Sequence, residues 1–219
     1  MNSTIQLQKH SEIILPAGSR RIENYAFYGC SHIKKIILPE SLIYIGRSAF
    51  EGCSNLSQIE LPESLKFIDD KAFKRSGLTS IYIPDQTILI GKEAFSQCLQ
   101  LKQAFLGKNV TLLGDSAFEN CYRLSSVLLN EGLQAIGASA FLYDVKLKEI
   151  ILPDTLLDIG ENAFGRINHL NVKAPISMQD HIKHYYPGSG DPACCGPVFL
   201  PDMSYIFENN AAITYRKEA

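Results

Sequence analysis

Apolar residues recur along this chain with a long and nearly constant period. An Ala-Phe pair places phenylalanine at Phe27, Phe50, Phe73, Phe95, Phe118, Phe141 and Phe164, at spacings of 23, 23, 22, 23, 23 and 23 residues. Self-similarity at such a period is the signature of a stacked repeat architecture. Other positions hold the same register. Five residues before each Phe stands an aliphatic: Ile22, Ile45, Ile68, Ile90, Leu113, Ile136 and Ile159. The residue after that aliphatic is Gly46, Gly91, Gly114, Gly137 or Gly160 in five copies, with Glu23 and Asp69 in the other two. Three residues after the Phe comes Cys30, Cys53, Cys98 or Cys121, replaced elsewhere by Ser76, Asp144 and Ile167.

Between these landmarks lies an apolar-x-x-apolar-x-apolar run, as in Leu56, Ile59 and Leu61, usually closed by proline (Pro16, Pro39, Pro62, Pro84, Pro153). Alternation across Ile59-Glu60-Leu61 is strand periodicity. Proline cannot donate to a ladder and stops the strand. A second short strand follows, as at Ser64 to Ile68, and glycine then permits a turn. The stretch from Gly46 to Cys53 predicts one helical turn that brings Ala49, Phe50 and Cys53 inward. The expected fold is therefore a β-rich solenoid of about seven stacked coils of 22–23 residues, each with two short strands and one short helical turn. One coil cannot bury its apolar face alone, whereas stacked coils can. At ~4.8 Å per strand step, seven steps give a core roughly 35 Å long.

Segments such as Leu56-Ser57-Gln58-Ile59-Glu60-Leu61-Pro62-Glu63-Ser64-Leu65 and Ile45-Gly46-Arg47-Ser48-Ala49-Phe50-Glu51-Gly52-Cys53 resemble the BspA-like leucine-rich repeat. The resemblance covers residues 10–172. It implies a leucine-rich-repeat solenoid and, as partner class, the host or matrix contacts typical of bacterial and protist surface proteins. The predicted organisation is a solenoid with its N-terminal cap over 1–174, followed by a C-terminal cap or irregular extension over 175–219. That extension leaves the repeat and is rich in Pro, Gly and aromatic residues.

Composition changes the picture in a few places. The chain has 46% hydrophobic and 20% charged residues, net charge −2 and pI about 6.2. No basic field is present to recruit nucleic acid or an anionic membrane. No run approaches the roughly 20 apolar residues of a membrane helix. The polar N-terminus lacks a secretory apolar stretch. The reading is cytoplasmic if Met1 is native, and secreted or cell-surface, as the resemblance implies, if a signal has been removed. Nucleophile elbows, phosphate loops and His-Glu-x-x-His helices do not occur in the sequence, so no enzyme and no cofactor is expected.

The four cysteines in one repeat slot read as packed free thiols. A weak metal candidate lies in the extension, where His181 and His184 are spaced for one helix face and Cys194-Cys195 would complete a tetrahedral set. The spacing is not an established zinc pattern.

The stronger candidate is a surface. In each first strand, the residue between the last two inward positions points outward. These are Ile14, Ile37, Glu60, Tyr82, Phe105, Leu128, Ile151 and Asn171, six of the eight apolar. Tyr44, Phe67, Leu89 and Leu112 form a flanking line on the second strand. An exposed apolar ladder marks an interaction site. Strand preference alone would also favour such residues, and a tail folded across the ladder would make it core. Three roles stay open: a binding module for an unidentified protein (or glycan) ligand, with Ile37, Tyr82, Phe105, Leu128 and Ile151 as its surface; a structural element that self-associates; and a metal-binding tail.

Overall fold

The computed structural model describes residues 11–175 and 212–216. Fifteen short strands follow one another: β1 (Glu12–Ile14), β2 (Arg21–Ile22), β3 (Lys35–Ile37), β4 (Tyr44–Ile45), β5 (Phe67–Ile68), β6 (Ser80–Tyr82), β7 (Leu89–Ile90), β8 (Gln103–Phe105), β9 (Leu112–Leu113), β10 (Ser126–Leu128), β11 (Ala135–Ile136), β12 (Glu149–Ile151), β13 (Asp158–Ile159), β14 (Asn171–Pro175) and β15 (Ala212–Arg216). All pairings are parallel, and each up to β14 joins a strand to its equivalent in the next coil, while β15 from the extension pairs with β14. The second strands form one continuous seven-stranded sheet, β2-β4-β5-β7-β9-β11-β13. The first strands form three separate sheets along the front face: β1-β3, β6-β8-β10 and β12-β14-β15. The solenoid read from the 23-residue period is thus the observed architecture.

The Ala-Phe pair makes the core. Neighbouring Phe rings stack at centroid distances of 5.1–5.5 Å from Phe27 through to Phe164, never more than 11° from parallel. Ala49, Ala72, Ala94, Ala117, Ala140 and Ala163 are fully buried. Polar residues after the proline tie coils together. Ser64 donates to Leu42 O at 2.6 Å, Thr87 to Leu65 O at 2.9 Å and Thr155 to Leu133 O at 2.8 Å.

The expected helical turn is absent among the described residues, and the hydrogen bonds show why. Around each Phe, alternate amides point in different directions. The N–H groups of Tyr25, Phe27 and Gly29 donate to Arg47, Ala49 and Glu51 of the next coil, at 2.9, 2.8 and 2.7 Å. Those of Ala26, Tyr28 and Cys30 donate within their own coil, to Glu23, Tyr25 and Phe27. The same alternation continues through Ser139, Phe141 and Tyr143. An α-helix would spend every amide internally; here half of them cross-link the stack.

This path needs left-handed backbone at two positions four residues apart in each turn, and the first of them falls on non-glycine residues: Tyr25 (φ 61°), Ser48 (φ 52°), Lys71 (φ 58°), Glu93 (φ 55°), Ser116 (φ 54°) and Ser139 (φ 57°). The repeat glycine has a different task from the one expected. Gly137 and Gly160 are not in that region. A Cβ there would fall 2.4 Å from Asp115 N and 2.2 Å from Ala138 N of the preceding coil. Glycine is required by close stacking, not by turn geometry.

Candidate functional site

On the front face, β6, β8 and β10 bring Tyr82, Phe105 and Leu128 into direct register. Tyr82 and Phe105 stack with centroids 4.5 Å apart and planes within 5°. Tyr82 is 62% exposed and Leu128 57%, while Phe105 is half-buried between them. The inward neighbours in the same strands, Ile81 and Ala104, are completely buried. Alternation along β6 and β8 therefore separates core from surface as strand geometry requires, and in β10 the inward Val127 is half-buried against the core.

Ile37 and Ile151, the outer predicted members, are exposed but lie on the other two front sheets. Ile14 pairs with Ile37 at the first coil. The last rung differs from the sequence reading. Ile151 pairs with Lys173, and Asn171 lies opposite Glu149. The final strand runs on inward through Val172 and Ala174, both fully buried, so the outward position between them is Lys173. Beyond it β15 pairs with β14 from Ala212 to Arg216, extending the sheet at its end.

The flanking line is placed on four adjacent strands of the seven-stranded sheet. Tyr44, Phe67, Leu89 and Leu112 are in consecutive register, Phe67 and Leu112 exposed, Tyr44 and Leu89 half-buried. Tyr44 donates a short hydrogen bond to Asp69 Oδ2, and Arg21 lies 5.1 Å over its ring. Partial burial and the Asp69 carboxylate push its phenol up to about 12.

Two features escaped the sequence reading. The first is the interruption at coil three. Gln58 to Leu61 fit the repeat in composition but form no strand. Among the described residues they make no backbone hydrogen bond to either neighbouring coil. Ile59 is correspondingly half-buried where Ile36 and Ile81 are buried. The following coil is the short one, with a spacing of 22 residues from Phe73 to Phe95. The missing residue falls at Gly77, whose N–H reaches back to Cys53 O at 3.1 Å and where a Cβ would meet Ser54 O at 2.1 Å. Just before β6 the ordinary coil-to-coil bond is kept, Thr79 N–H donating to Ser57 O at 3.0 Å, and the pairing is lost only from Gln58 onward. Clefts flank the orphaned segment: one of about 530 Å³ toward β3, and one of about 440 Å³ toward β6.

The second is Asp144, which fills the cysteine slot of its coil and is completely buried. Its Oδ1 accepts the Cys121 N–H at 2.8 Å, and its Oδ2 has no hydrogen-bond partner. Burial pushes its carboxyl well above the ordinary carboxylate range. The cysteines themselves are free thiols. Cys53, Cys98 and Cys121 donate Sγ–H to the Phe27, Phe73 and Phe95 carbonyls at 3.1–3.2 Å. Burial holds Cys53 up at about 12 and Cys98 at about 11, so they remain protonated and unreactive.

The tail candidates His181, His184, Cys194 and Cys195 lie outside the described residues. Among the described residues no group of three or more His, Cys, Asp or Glu is placed to hold a metal ion. No helix there is long and apolar enough to cross a membrane.

Comparison with known proteins agrees with the geometry. No curated protein matches the chain. A solved leucine-rich repeat protein of T. pallidum is 32% identical with a TM-score of 0.64, over 69% of this chain and 73% of that one. A leucine-rich repeat protein of Bacteroides ovatus is 30% identical with a TM-score of 0.55, over 76% of this chain. The match spans about half the length of that protein, 49%. The model of the BspA-type leucine-rich repeat region matches in six copies, over residues 4–121 and 66–186. With its Phe column, its stacked turns and its repeat register all in agreement, the chain belongs to the BspA-type leucine-rich-repeat family.

Proposed function

We propose that the protein is a non-catalytic binding scaffold that recognises a protein partner on its front face, through Tyr82, Phe105 and Leu128, with Ile37 and Ile151 at the margins. Leucine-rich repeats are generally protein-binding scaffolds, and solenoids present extended surfaces for that purpose. The observation that carries the reading is the solvent exposure of Tyr82 and Leu128 beside a stacked Phe105, on strands whose other face is core. A contiguous exposed apolar patch of this kind is characteristic of an interaction surface. Rigid aromatic side chains supply contact area at small entropic cost and commonly dominate interface energy.

The test uses a photo-crosslinking residue in place of Tyr82 to trap the partner, followed by surface plasmon resonance with the Tyr82→Ala/Phe105→Ala double variant. Each truncation is worth at least ~1 kcal/mol at an interface centre, so binding should weaken roughly thirtyfold. Both side chains project from the fold, so far-UV circular dichroism and the melting temperature should stay close to wild type. Unchanged affinity in a folded double variant would remove the front face from consideration.

A further inference from the structure

The interruption at coil three has properties of its own. Among the described residues β3 pairs only with β1, and β6 only with β8, so each turns an unpaired edge toward the orphaned segment. Gln58 to Leu61 offer backbone N–H and C=O groups that nothing among the described residues uses. Such an edge is the ordinary receptor for an extended peptide, whose main chain supplies the missing hydrogen bonds.

The cleft toward β6, about 440 Å³, is lined by Ile59, Glu60, Glu63, Tyr82, Pro84 and Asp85 among others. Its size falls within the ~300–1,000 Å³ of ordinary ligand sites. Every ionisable side chain on that lining apart from the Tyr82 phenol is a carboxylate. Asp85 is already paired with Lys108 at 2.6 Å. Glu60 and Glu63 have no ion pair among the described residues. Tyr82 exposes a ring at the rim, suited to a cation over its face. A planar cation would meet carboxylates and an aromatic ring together. The opposite cleft differs, since Lys34 and Lys35 share its lining with Glu40, Glu60 and Glu63.

We propose that the cleft between the orphaned segment Gln58–Leu61 and β6 is a docking site for an extended segment of a partner protein. The segment presents an arginine or lysine side chain to Glu60 and Glu63 beside Tyr82, and its main chain pairs with the free backbone groups. The proposal rests on the front-face reading and adds the chemistry of the partner at one end of that face.

The experiment is a titration of the ¹⁵N-labelled full chain, followed by NMR, with the capped peptide Val-Thr-Arg-Thr-Val and the same peptide carrying neutral citrulline for arginine. The arginine peptide should shift the amides of Gln58 to Leu61 and of Tyr82 saturably. Citrulline should weaken binding roughly fivefold, as expected for loss of an exposed charge pair. The Glu60→Gln/Glu63→Gln variant should bring the arginine peptide to the citrulline level. Equal binding of both peptides, or shifts centred on Leu128 or the flanking sheet, would overturn the proposal. So would shifts produced equally by free arginine without movement of the Gln58 to Leu61 amides, which would mark a small-cation pocket. The Leu128→Ala variant, one strand removed from Tyr82, should leave this titration unchanged while weakening the front-face partner, so the two readings fail separately.

Discussion

Replacing Asp144 by asparagine should make the protein progressively more stable, relative to wild type, as pH rises. The reasoning begins with position. Asp144 is fully buried with an unpartnered Oδ2, and desolvation raises its carboxyl well above the ordinary carboxylate range; the Cys121 N–H lowers it in part, while the nearby Glu119 charge raises it further. In the unfolded chain the group ionises near its ordinary value; in the fold it stays protonated. Its folded pKa is raised, so its full contribution to stability is present below the unfolded value and is lost as pH climbs toward the folded one. One proton of difference between the states corresponds to about 1.4 kcal/mol per pH unit. Asparagine is nearly isosteric, keeps an acceptor for Cys121 N–H and does not titrate. Any packing penalty it brings is constant with pH, so the slope of the difference isolates the buried acid. Urea unfolding of both proteins, followed by far-UV circular dichroism from about pH 5 to about pH 8, should show that difference growing by roughly 1.4 kcal/mol per unit. Parallel profiles would refute the argument, because they would mean that Asp144 ionises equally well folded and unfolded.

Phe95→Ala removes a ring stacked at 5.3 Å on one side and 5.1 Å on the other, and should cost about 3–5 kcal/mol in urea unfolding. Phe27→Ala, with a single stacked neighbour and slight exposure, should cost measurably less. Gly77→Ala forces a methyl toward Ser54 O and should destabilise by about 1–3 kcal/mol, with amide shifts concentrated in coils three and four. Alkylation of the native protein, mapped by mass spectrometry, should modify half-buried Cys30 before Cys53, Cys98 and Cys121; equal rates would mean that the column opens readily.

Much of the fold was legible because its core depends on volume at fixed intervals. Phe27 to Phe164 are seven large side chains in small-residue surroundings, and only a stack with that repeat buries them all. The helical turn was misread because Ala49, Phe50 and Cys53 carry helix-like spacing, while the left-handed residues that define the real path, such as Ser48, Lys71 and Glu93, have no compositional mark. The outward ladder was legible through alternation, and Tyr82, Phe105 and Leu128 stand where alternation puts them. The interruption at Gln58 to Leu61 was not, because those residues obey the repeat. The nearest irregularity in the sequence is the single shorter spacing between Phe73 and Phe95, which lies after the interruption. At the far end the sequence points to Asn171 rather than Lys173, because Leu170 also faces inward and hides the shift of register.

The alternating amides of the stacked turns also decide how the molecule bears load. Their coil-to-coil hydrogen bonds, like those of the sheets, run along the solenoid axis. Tension applied between the two ends therefore meets these bonds in series, and one coil peels from its neighbour before the next is stressed. Each release frees a 23-residue length of chain, an extension of roughly 80 Å when drawn straight. Force across the axis is instead shared by many bonds at once. The molecule is a stack that yields in steps along its length and resists as a block across it.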